Sequence, residues 1–376
     1  MFYQCPKCKK TWQYPIEKCP ECFLNLERLK SNGKIKVIGI SKVNIPSLFH
    51  PKVPYFVLVL EDEMGNKWVQ KSIKEYKIGE EFKTESNLDK NAVAIWRLKY
   101  DILEGIEKVV EFLGGLKIDS KTKILILPTL ISPKHPFLAE NTSPQFLEKT
   151  IQYLIQKGAK SENIKVAAQS FDDTPIEASA QKSQLLQVCQ NFKILPLDLS
   201  KDNFVKKAPH HFVKETRKQK RVNKGKNIPL NKESLLQSGG GFEISEEIFN
   251  SNLVINLPIL KIGQASASKN ILKFLKKENY LGLKYLSSDK EIFESLNKAL
   301  PNYLTVAEGN AVQRSDGFTT FLGLILASFN PLNLDRVFTE IAMIKDLPES
   351  LKGVKIENIP VTGRQIEELK YDLEKY

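Results

Sequence analysis

Four cysteines near the start of the chain have the spacing of a metal site. Two Cys-Pro-x-Cys pairs, Cys5 with Cys8 and Cys19 with Cys22, are separated by ten residues. Each turn brings two thiolates together, and two such turns supply the four soft ligands that Zn²⁺ prefers in structural sites. Because four protein ligands leave no open position, we predict one structural zinc per chain. A rubredoxin-type iron and a pair of disulfides are the alternatives.

Polar residues that follow an apolar strand predict a second site, for an anion. The run 253–257 predicts a buried strand, and α/β sheets bind ligands beyond such strand ends. The small residues of 263–268 would let backbone N–H groups approach a phosphate. We predict a phosphate-bearing small molecule or a nucleotide-like or CoA-type cofactor here. The predicted ligand-binding residues are Asn256, Lys261, Lys269, Asn270, Glu308 and Asp335.

Simpler interpretations of these residues stay open. The two lysines could be solvated beside an ordinary helix cap. Glu308 and Asp335 could form an acidic pair, but Asp335 also fits an N-terminal helix position without chemistry. His135 stands in a plausible site loop, but a surface histidine is the simpler reading. His210 and His211 are adjacent and lack obvious further metal ligands. No nucleophile–base pair is identifiable, so the sequence predicts no catalytic mechanism and leaves open whether the protein is an enzyme.

Periodicity predicts the elements that must position these groups. Five short strands, near 34–45, 55–61, 67–73, 81–85 and 92–99, with a hairpin turn at 62–66 between the second and third, predict a small closed barrel such as an OB-fold. Asp101 predicts the cap of a first helix. Beyond it, apolar strands alternate with helices, one of which begins at Ser143-Pro144; this indicates an α/β domain with a largely parallel sheet. The predicted organisation is a zinc ribbon (1–32), an OB-like barrel (33–100), a linker helix (101–119), an α/β domain (120–364) with a basic loop (200–240), and a C-terminal helix (365–376).

Composition and charge limit the class of protein. The chain has 376 residues, 41% hydrophobic and 27% charged, as in globular proteins of two or three domains. No run approaches the roughly 18 apolar residues of a membrane span, and no apolar segment near Met1 resembles a secretion signal. We therefore expect a cytoplasmic protein in a reducing compartment, with no membrane association.

The net charge of +12 is concentrated in two segments, which raises a rival function. Residues 206–226 carry +8 and residues 1–36 carry +5, so the rest is nearly neutral. With Trp12 and Tyr14 near the ribbon tip, the ribbon, the barrel and the basic loop could together bind nucleic acid. A solvated loop is the simpler explanation of the basic segment.

The first 100 residues resemble the zinc-ribbon and OB-fold proteins called domain of unknown function 35 (DUF35). The matching features are the two Cys-Pro-x-Cys pairs, the strand around residues 54–57 and the Ile78-Gly79 turn. Members accompany thiolase-type and hydroxymethylglutaryl-CoA-forming enzymes as non-catalytic partners. The resemblance therefore implies a docking or CoA-associated module and a thiolase-type or other enzyme partner.

Residues from about 120 to 345 resemble the domain of unknown function 362 (DUF362) family. The segments that carry the resemblance are 124–132, 141–144, 253–258, 308–310 and 327–331, together with Lys261, Lys269, Asn270 and Asp335. The layout is distantly similar to the nickel-pincer lactate racemase, which implies a nucleotide-like metal cofactor held between α/β lobes. This chain departs from the family pattern, with Leu127-Pro128-Thr129 after the first strand, Ile259 and Gly263 after the later one, and Glu308 and Asn330 for aspartates.

Overall fold

The computed structural model describes most of the chain in two compact units, Met1–Asn87 and Leu88–Tyr376. The described residues are 2–12, 16–29, 34–46, 53–72, 74–82, 89–98, 101–171, 174–207, 241–284, 287–314 and 316–373. Among them, no helix combines the length and the apolar character needed to cross a membrane.

The first unit contains two small antiparallel sheets. The first sheet has the order β2-β1-β3, with β1 Phe2–Gln4, β2 Thr11–Trp12 and β3 Glu27–Leu29. The second has the order β4-β5-β6, with β4 Lys36–Val43, β5 Tyr55–Glu61 and β6 Lys67–Ser72. Val37, Leu58 and Leu60 are fully buried on one face of this second sheet and form a core with Phe56 and Tyr76.

The β5–β6 hairpin turns where the sequence predicts. The Asp62 carboxylate accepts backbone hydrogen bonds from Met64 (3.0 Å) and Asn66 (2.9 Å), and Gly65 takes a positive φ of 77°. Beyond the three strands, the described residues add one bridge, between Lys36 and Glu81. The structure thus contains the predicted hairpin within a three-stranded sheet.

The second unit is built on one large mixed sheet. Its strand order is β10-β9-β8-β13-β15-β16-β7-β17, with β14 beside β15. The strands from β10 to β15 pair in parallel, and β16 runs antiparallel to both of its neighbours. The nine strands are β7 Val93–Arg97, β8 Ile124–Pro128, β9 Ile164–Ala168, β10 Pro196–Asp198, β13 Leu253–Leu257, β14 Ile259–Lys261, β15 Tyr303–Gln313, β16 Thr319–Ser328 and β17 Val361–Gly363. A separate hairpin joins β11 Phe204–Lys207 to β12 Phe242–Ser245.

Helices and short 3₁₀ turns surround this sheet. The described α-helices are α1 Ile102–Phe112, α2 Pro144–Gln156, α3 Ile176–Lys182, α4 Leu185–Asn191, α5 Glu247–Asn250, α6 Ser266–Ile271, α7 Lys277–Lys284, α8 Asp289–Ala299 and α9 Pro331–Ile341. The 3₁₀ turns are Pro136–Leu138, Ser161–Asn163, Leu199–Lys201, Leu272–Phe274, Glu349–Leu351, Ile356–Asn358 and Ile366–Glu368. The predicted caps are present, since the Asp101 carboxylate accepts from Glu104 N (3.2 Å) and Ser143 Oγ from Phe146 N (3.2 Å).

Both faces of the large sheet are covered, which explains the unbroken apolar runs of its strands. In β8, Ile124 and Ile126 belong to a core with α1 and α2, whereas Leu125 and Leu127 belong to a core on the opposite face. A strand buried on both sides has no polar alternation. The predicted α/β class is therefore confirmed, with a mixed sheet.

Three predicted boundaries differ from the structure. The strand assigned to the barrel at 92–99 is β7, which lies inside the large sheet between β16 and β17; Val93, Ala94 and Ile95 are wholly buried there. The predicted linker helix is α1, whose Ile106 and Val109 pack into the α/β core. The predicted C-terminal helix is reduced to the single 3₁₀ turn at 366–368. Of the basic loop, residues 208–240 lie outside the described residues.

Candidate metal centre and candidate ligand site

The four cysteines of the two pairs meet at one point. One sulfur from each of Cys5, Cys8, Cys19 and Cys22 lies within 4.8 Å of the other three. The Cys8 and Cys19 sulfurs are 3.7 Å apart. Cys5 and Cys19 are completely buried, and no disulfide joins any cysteine. Within the described part of the chain, this is the one cluster of His, Cys, Asp and Glu side chains that could hold a metal ion.

Two copies of the same backbone turn bring the sulfurs together. Cys5 O accepts from Lys9 N (3.0 Å), and Cys19 O accepts in the same way from Phe23 N (2.9 Å). Both residues that follow the second cysteine have a left-handed backbone, with φ of 58° at Lys9 and 56° at Phe23. Cys22 N also donates to the Cys19 sulfur at 3.3 Å. This repeated geometry fits four thiolate ligands of a tetrahedral metal.

Charge around the cluster is unevenly distributed. Burial raises the pKa of the Cys5 thiol, but backbone hydrogen bonds from Cys8 and Lys7 outweigh it and lower that pKa to about 7. Burial and the neighbouring cysteines raise the pKa of Cys22 to about 12. Lys10 forms an ion pair with Glu21 across the two turns. The residues therefore suit a cation that would bind all four sulfurs as thiolates.

In the second unit, Asn256 and Asn270 lie in a closed network at the carboxyl end of the parallel strands. Asn256 Nδ2 donates to Ala267 O (3.0 Å) and Thr305 Oγ1 (3.1 Å). Asn270 Nδ2 donates to Leu127 O and to Asn256 Oδ1, both at 2.9 Å. Both asparagine side chains are almost fully buried. These amides connect strands β8, β13 and β15 to helix α6, and their hydrogen bonds are made within the protein.

The backbone N–H groups predicted to approach an anion do so, and the anion is Asp335. Its carboxylate accepts from Ala267 N (2.8 Å), Ser268 N (2.9 Å) and Ser268 Oγ (2.8 Å). Burial raises the pKa of Asp335 to about 7, against the lowering effect of these hydrogen bonds. Helix α9 thus supplies the negative group at the start of α6.

Glu308 has a comparable internal partner. Its carboxylate accepts from Ser143 N (2.8 Å) and Ser143 Oγ (2.6 Å), the residue that begins α2. Burial raises the pKa of Glu308 to about 7, although both hydrogen bonds oppose the shift. No direct contact joins Glu308 to Asp335, so the acidic pair considered from the sequence is not present among the described contacts.

Lys261 differs from Asp335 and Glu308, because its buried charged group has no hydrogen-bond partner among the described residues. The residue is 8% exposed, and among the described residues its side chain makes no hydrogen bond or ion pair. Burial lowers its pKa, and the charge of Glu140 raises it. Lys269, the other predicted lysine, is exposed.

Glu140 acts electrostatically on Lys261, and Gln313 lies beside it in the sheet; together with Ser132, which bonds Glu140, we call these residues the Lys261 site. Ser132 Oγ donates to Glu140 Oε2 at 2.7 Å. Burial raises the pKa of Glu140, but the hydrogen bonds of Ser132 and Gln313 and the charges of Lys134 and Lys261 outweigh it and keep that pKa low. Lys261 and Gln313 are register partners on β14 and β15. A buried cation beside an ionised carboxylate and two polar groups is able to bind an anion.

The remaining predicted positions have simpler roles or lie outside the described residues. The His135 ring is exposed and accepts a hydrogen bond from Phe137 N (3.3 Å), so it caps a 3₁₀ turn. His210, His211 and nearly all of the basic segment 206–226 are outside the described residues, as is Tyr14.

Comparison with known proteins gives a family. The family described as "Domain of unknown function (DUF362)" matches residues 124–340, which is more than half of the chain. The chain belongs to this family. Among solved structures, it is similar to one called "Ltp2-ChsH2(DUF35) aldolase", at 22% identity over 27% of this chain and 74% of that chain, with a TM-score of 0.18. No curated protein matches the chain.

Within the DUF362 domain, two departures from the family pattern serve the fold. Asn330 caps α9 by accepting from Asn333 N (3.4 Å), a role that the expected aspartate also performs. Glu308, in place of another aspartate, reaches the start of α2 as described above. Sequence reasoning missed Ser132, Glu140 and Gln313, because all three are brought to Lys261 by a loop and a hairpin. Ser132 lies in segment 124–132, which carries the family resemblance, and this is the sequence feature that could have pointed to it as a site residue.

Proposed function

We propose that this DUF362 protein binds a small anionic molecule at the Lys261 site. The single observation that carries the proposal is the buried ammonium of Lys261, which makes no hydrogen bond or ion pair with any described residue and has the charge of Glu140 in its surroundings. A buried charge without directly bonded partners is costly, and such a group is a candidate for ligand binding. Phosphate-bearing molecules of nucleotide or CoA type are the class that the sequence indicates, and carboxylates share the same chemistry.

Local charge supports an anion over a cation. Glu140 is 3.7 Å from Lys134 Nζ and within electrostatic range of Lys261. Lys134 is half exposed and already forms an ion pair with Glu140, so Lys261 keeps a positive charge that has no ion pair among the described residues. A bound anion would neutralise that charge and complete the hydrogen bonds of Lys261.

The other predicted ligand-binding residues have a supporting role in this proposal. Asn256, Asn270, Asp335 and Glu308 use their hydrogen-bonding groups to hold strand ends and helices in place. They position the segments that carry Lys261, and they are not proposed to touch the ligand. Lys269 serves as an exposed comparison for Lys261.

A thermal-shift panel tests the anion site. The panel consists of inorganic phosphate, acetate, ATP and CoA. We expect at least one of these anions to raise the melting temperature of the second unit. Lys261→Met should abolish that shift, whereas Lys269→Met, a matched lysine in exposed surroundings, should keep it. An equal shift in wild type and Lys261→Met would reject the Lys261 site, and so would the absence of any response.

We also propose that the four cysteines hold one structural zinc ion. The four-sulfur geometry and the absence of a fifth side-chain ligand among the described neighbours support this choice. We propose that the cysteine-bearing segment is a zinc ribbon and that the sheet β4-β5-β6 belongs to an OB-type module. The two together would then act as a docking or CoA-associated accessory. Its proposed partner is a thiolase-type or other enzyme. Elemental analysis should find one zinc per chain.

A further inference from the structure

Exposed aromatic residues of the DUF362 domain are concentrated beside the Lys261 site. Among the described residues of the second unit, eight large apolar side chains are exposed, and four of them lie on two neighbouring segments. The four are Ile131 and Phe137 on the loop 131–140, and Phe318 and Phe321 on the β15–β16 hairpin. Phe137 is 74% exposed and Phe321 is 71% exposed. Such clustering is typical of a binding surface rather than of scattered surface residues.

The sheet register places Phe321 on the same face as Lys261. Lys261 pairs with Gln313, and Gln313 pairs with Thr319 on the next strand. Directly paired residues share one face of a sheet, and a residue two positions further along the strand does so as well. Phe321 is two positions beyond Thr319, so it belongs to this face.

The loop 131–140 lies over that face and carries Phe137. Thr319 Oγ1 donates to Phe137 O at 3.1 Å, which ties the outer part of the loop to the hairpin. Asn141 ties the inner part, since its side chain bonds Ile131 N and Ser132 O, both at 2.8 Å. The loop therefore brings a carboxylate, Glu140, beside Lys261 and an aromatic ring, Phe137, to the rim.

We infer that the ligand of the Lys261 site is an amphipathic carboxylate: a single negative head bound by Lys261, joined to an apolar or aromatic body that covers Phe137 and Phe321. This inference rests on the proposed function. Lys261 is the one buried cation of the Lys261 site, and the nearby Glu140 carboxylate would repel a dianionic phosphate more strongly than a monoanionic head. The exposed rings would gain by burial against an apolar body.

Calorimetric titration with matched probes tests this inference. Acetate supplies the head alone, octanol supplies the body alone, octanoate supplies both, and inorganic phosphate supplies a dianionic head. Octanoate should bind at least tenfold more tightly than acetate, since each buried CH₂ adds roughly 0.8 kcal/mol. Octanoate should also bind more tightly than octanol and inorganic phosphate.

Variants separate the contributions of head and body. The double variant Phe137→Ser/Phe321→Ser should lose the gain of octanoate over acetate and leave acetate binding unchanged. Leu195→Ser, at an 85% exposed leucine on another segment, is the matched control and should change neither. Glu140→Gln should raise the site charge and shift its preference towards phosphate.

The outcomes distinguish this inference from the proposal on which it rests. If octanoate binds no more tightly than acetate, the amphipathic ligand is rejected while the anion site stands. If octanol binds as well as octanoate, the charged head is not recognised and the inference is overturned. If no anion binds, or if Lys261→Met binds all of them as wild type does, the proposed function itself is rejected.

Discussion

The cysteine cluster of the first unit and the asparagine–aspartate network of the second both bring polar side chains to one point. They differ in whether those side chains already have all their bonding partners within the protein. At the carboxyl end of the parallel strands, Asn256 and Asn270 donate to backbone carbonyl groups, and Asp335 accepts from the backbone of α6. At the cysteine cluster, four sulfurs meet and accept backbone hydrogen bonds, such as that from Cys22 N to Cys19, but these bonds leave the sulfurs able to bind a metal ion. Convergence of polar residues therefore indicates a ligand only where their bonds are not already made within the chain.

Removal of a cysteine should give the largest effect and tests the ribbon side of this comparison. Cys19→Ser should reduce the zinc content from one ion per chain to almost none and abolish hydrogen-exchange protection of residues 2–29, because metal binding supplies the folding energy of such modules. Elemental analysis and exchange mass spectrometry measure both. Cys189→Ala, at a buried cysteine outside the cluster, should retain the metal. Retained protection in a zinc-free Cys19→Ser protein would contradict the structural role.

Removal of Asp335 tests the network side. Asp335→Ala leaves the backbone N–H groups of Ala267 and Ser268 without their carboxylate acceptor, so we expect a loss of about 3–5 kcal/mol in unfolding free energy. Urea denaturation of the second unit measures it. Asp346→Ala, at an exposed aspartate, should leave the midpoint unchanged. A variant as stable as wild type would show that the network is not the fold-supporting element described here.

The pH dependence of stability should show the cost of burying Glu308. Its pKa rises from 4.5 to about 7 on folding, so the folded state keeps the proton after the unfolded state has lost it. Stability from this group is therefore fully present below pH 4.5 and falls by roughly 3 kcal/mol as the pH rises to about 7. Asp335, whose pKa burial also raises to about 7, contributes a fall in the same range, so Glu308→Gln should reduce the slope by about half rather than remove it. An unchanged profile between pH 4.5 and 7 in the variant would count against the buried carboxyl.

Lys261 should behave unlike the network residues, with the smallest effect on stability. Lys261→Met replaces a buried, unpaired ammonium by an apolar chain of similar length, so we expect stabilisation by about 1–2 kcal/mol together with loss of anion binding. Denaturation midpoints and the thermal-shift panel give the two readings. A destabilised variant would place Lys261 among the fold-supporting residues and remove the reason to distinguish it from Asp335.

The sequence predicts local features of this protein better than long-range ones. The cysteine pairs, the helix starts at Asp101 and Ser143 and the strand at 253–257 depend on neighbouring residues, and all are in the structure. The assignment of β7 to the barrel was wrong because its partners, β16 and β17, lie more than 200 residues away. Strand propensity does not reveal which sheet a strand will enter.

The candidate ligand site was predicted in part for the same reason. The sequence predicts six polar ligand-binding residues, and of these Lys261 is the one that is buried yet makes no side-chain hydrogen bond or ion pair with the described residues. The partners of Asn270 and Asp335 lie 143 and 68 positions away, at Leu127 and Ala267. A sequence cannot tell an amide that binds a ligand from one that joins two strands, because both need the same side chain in the same place.

The position of β7 has a practical consequence for dissecting the chain. The family match spans residues 124–340, yet β7 and β17, which complete one side of the sheet, lie before and after it. A recombinant fragment cut at those limits would expose the backbone edge of β16, a template for intermolecular strand pairing and aggregation. Expression of the DUF362 domain alone therefore needs a start no later than residue 89 and an end beyond residue 363.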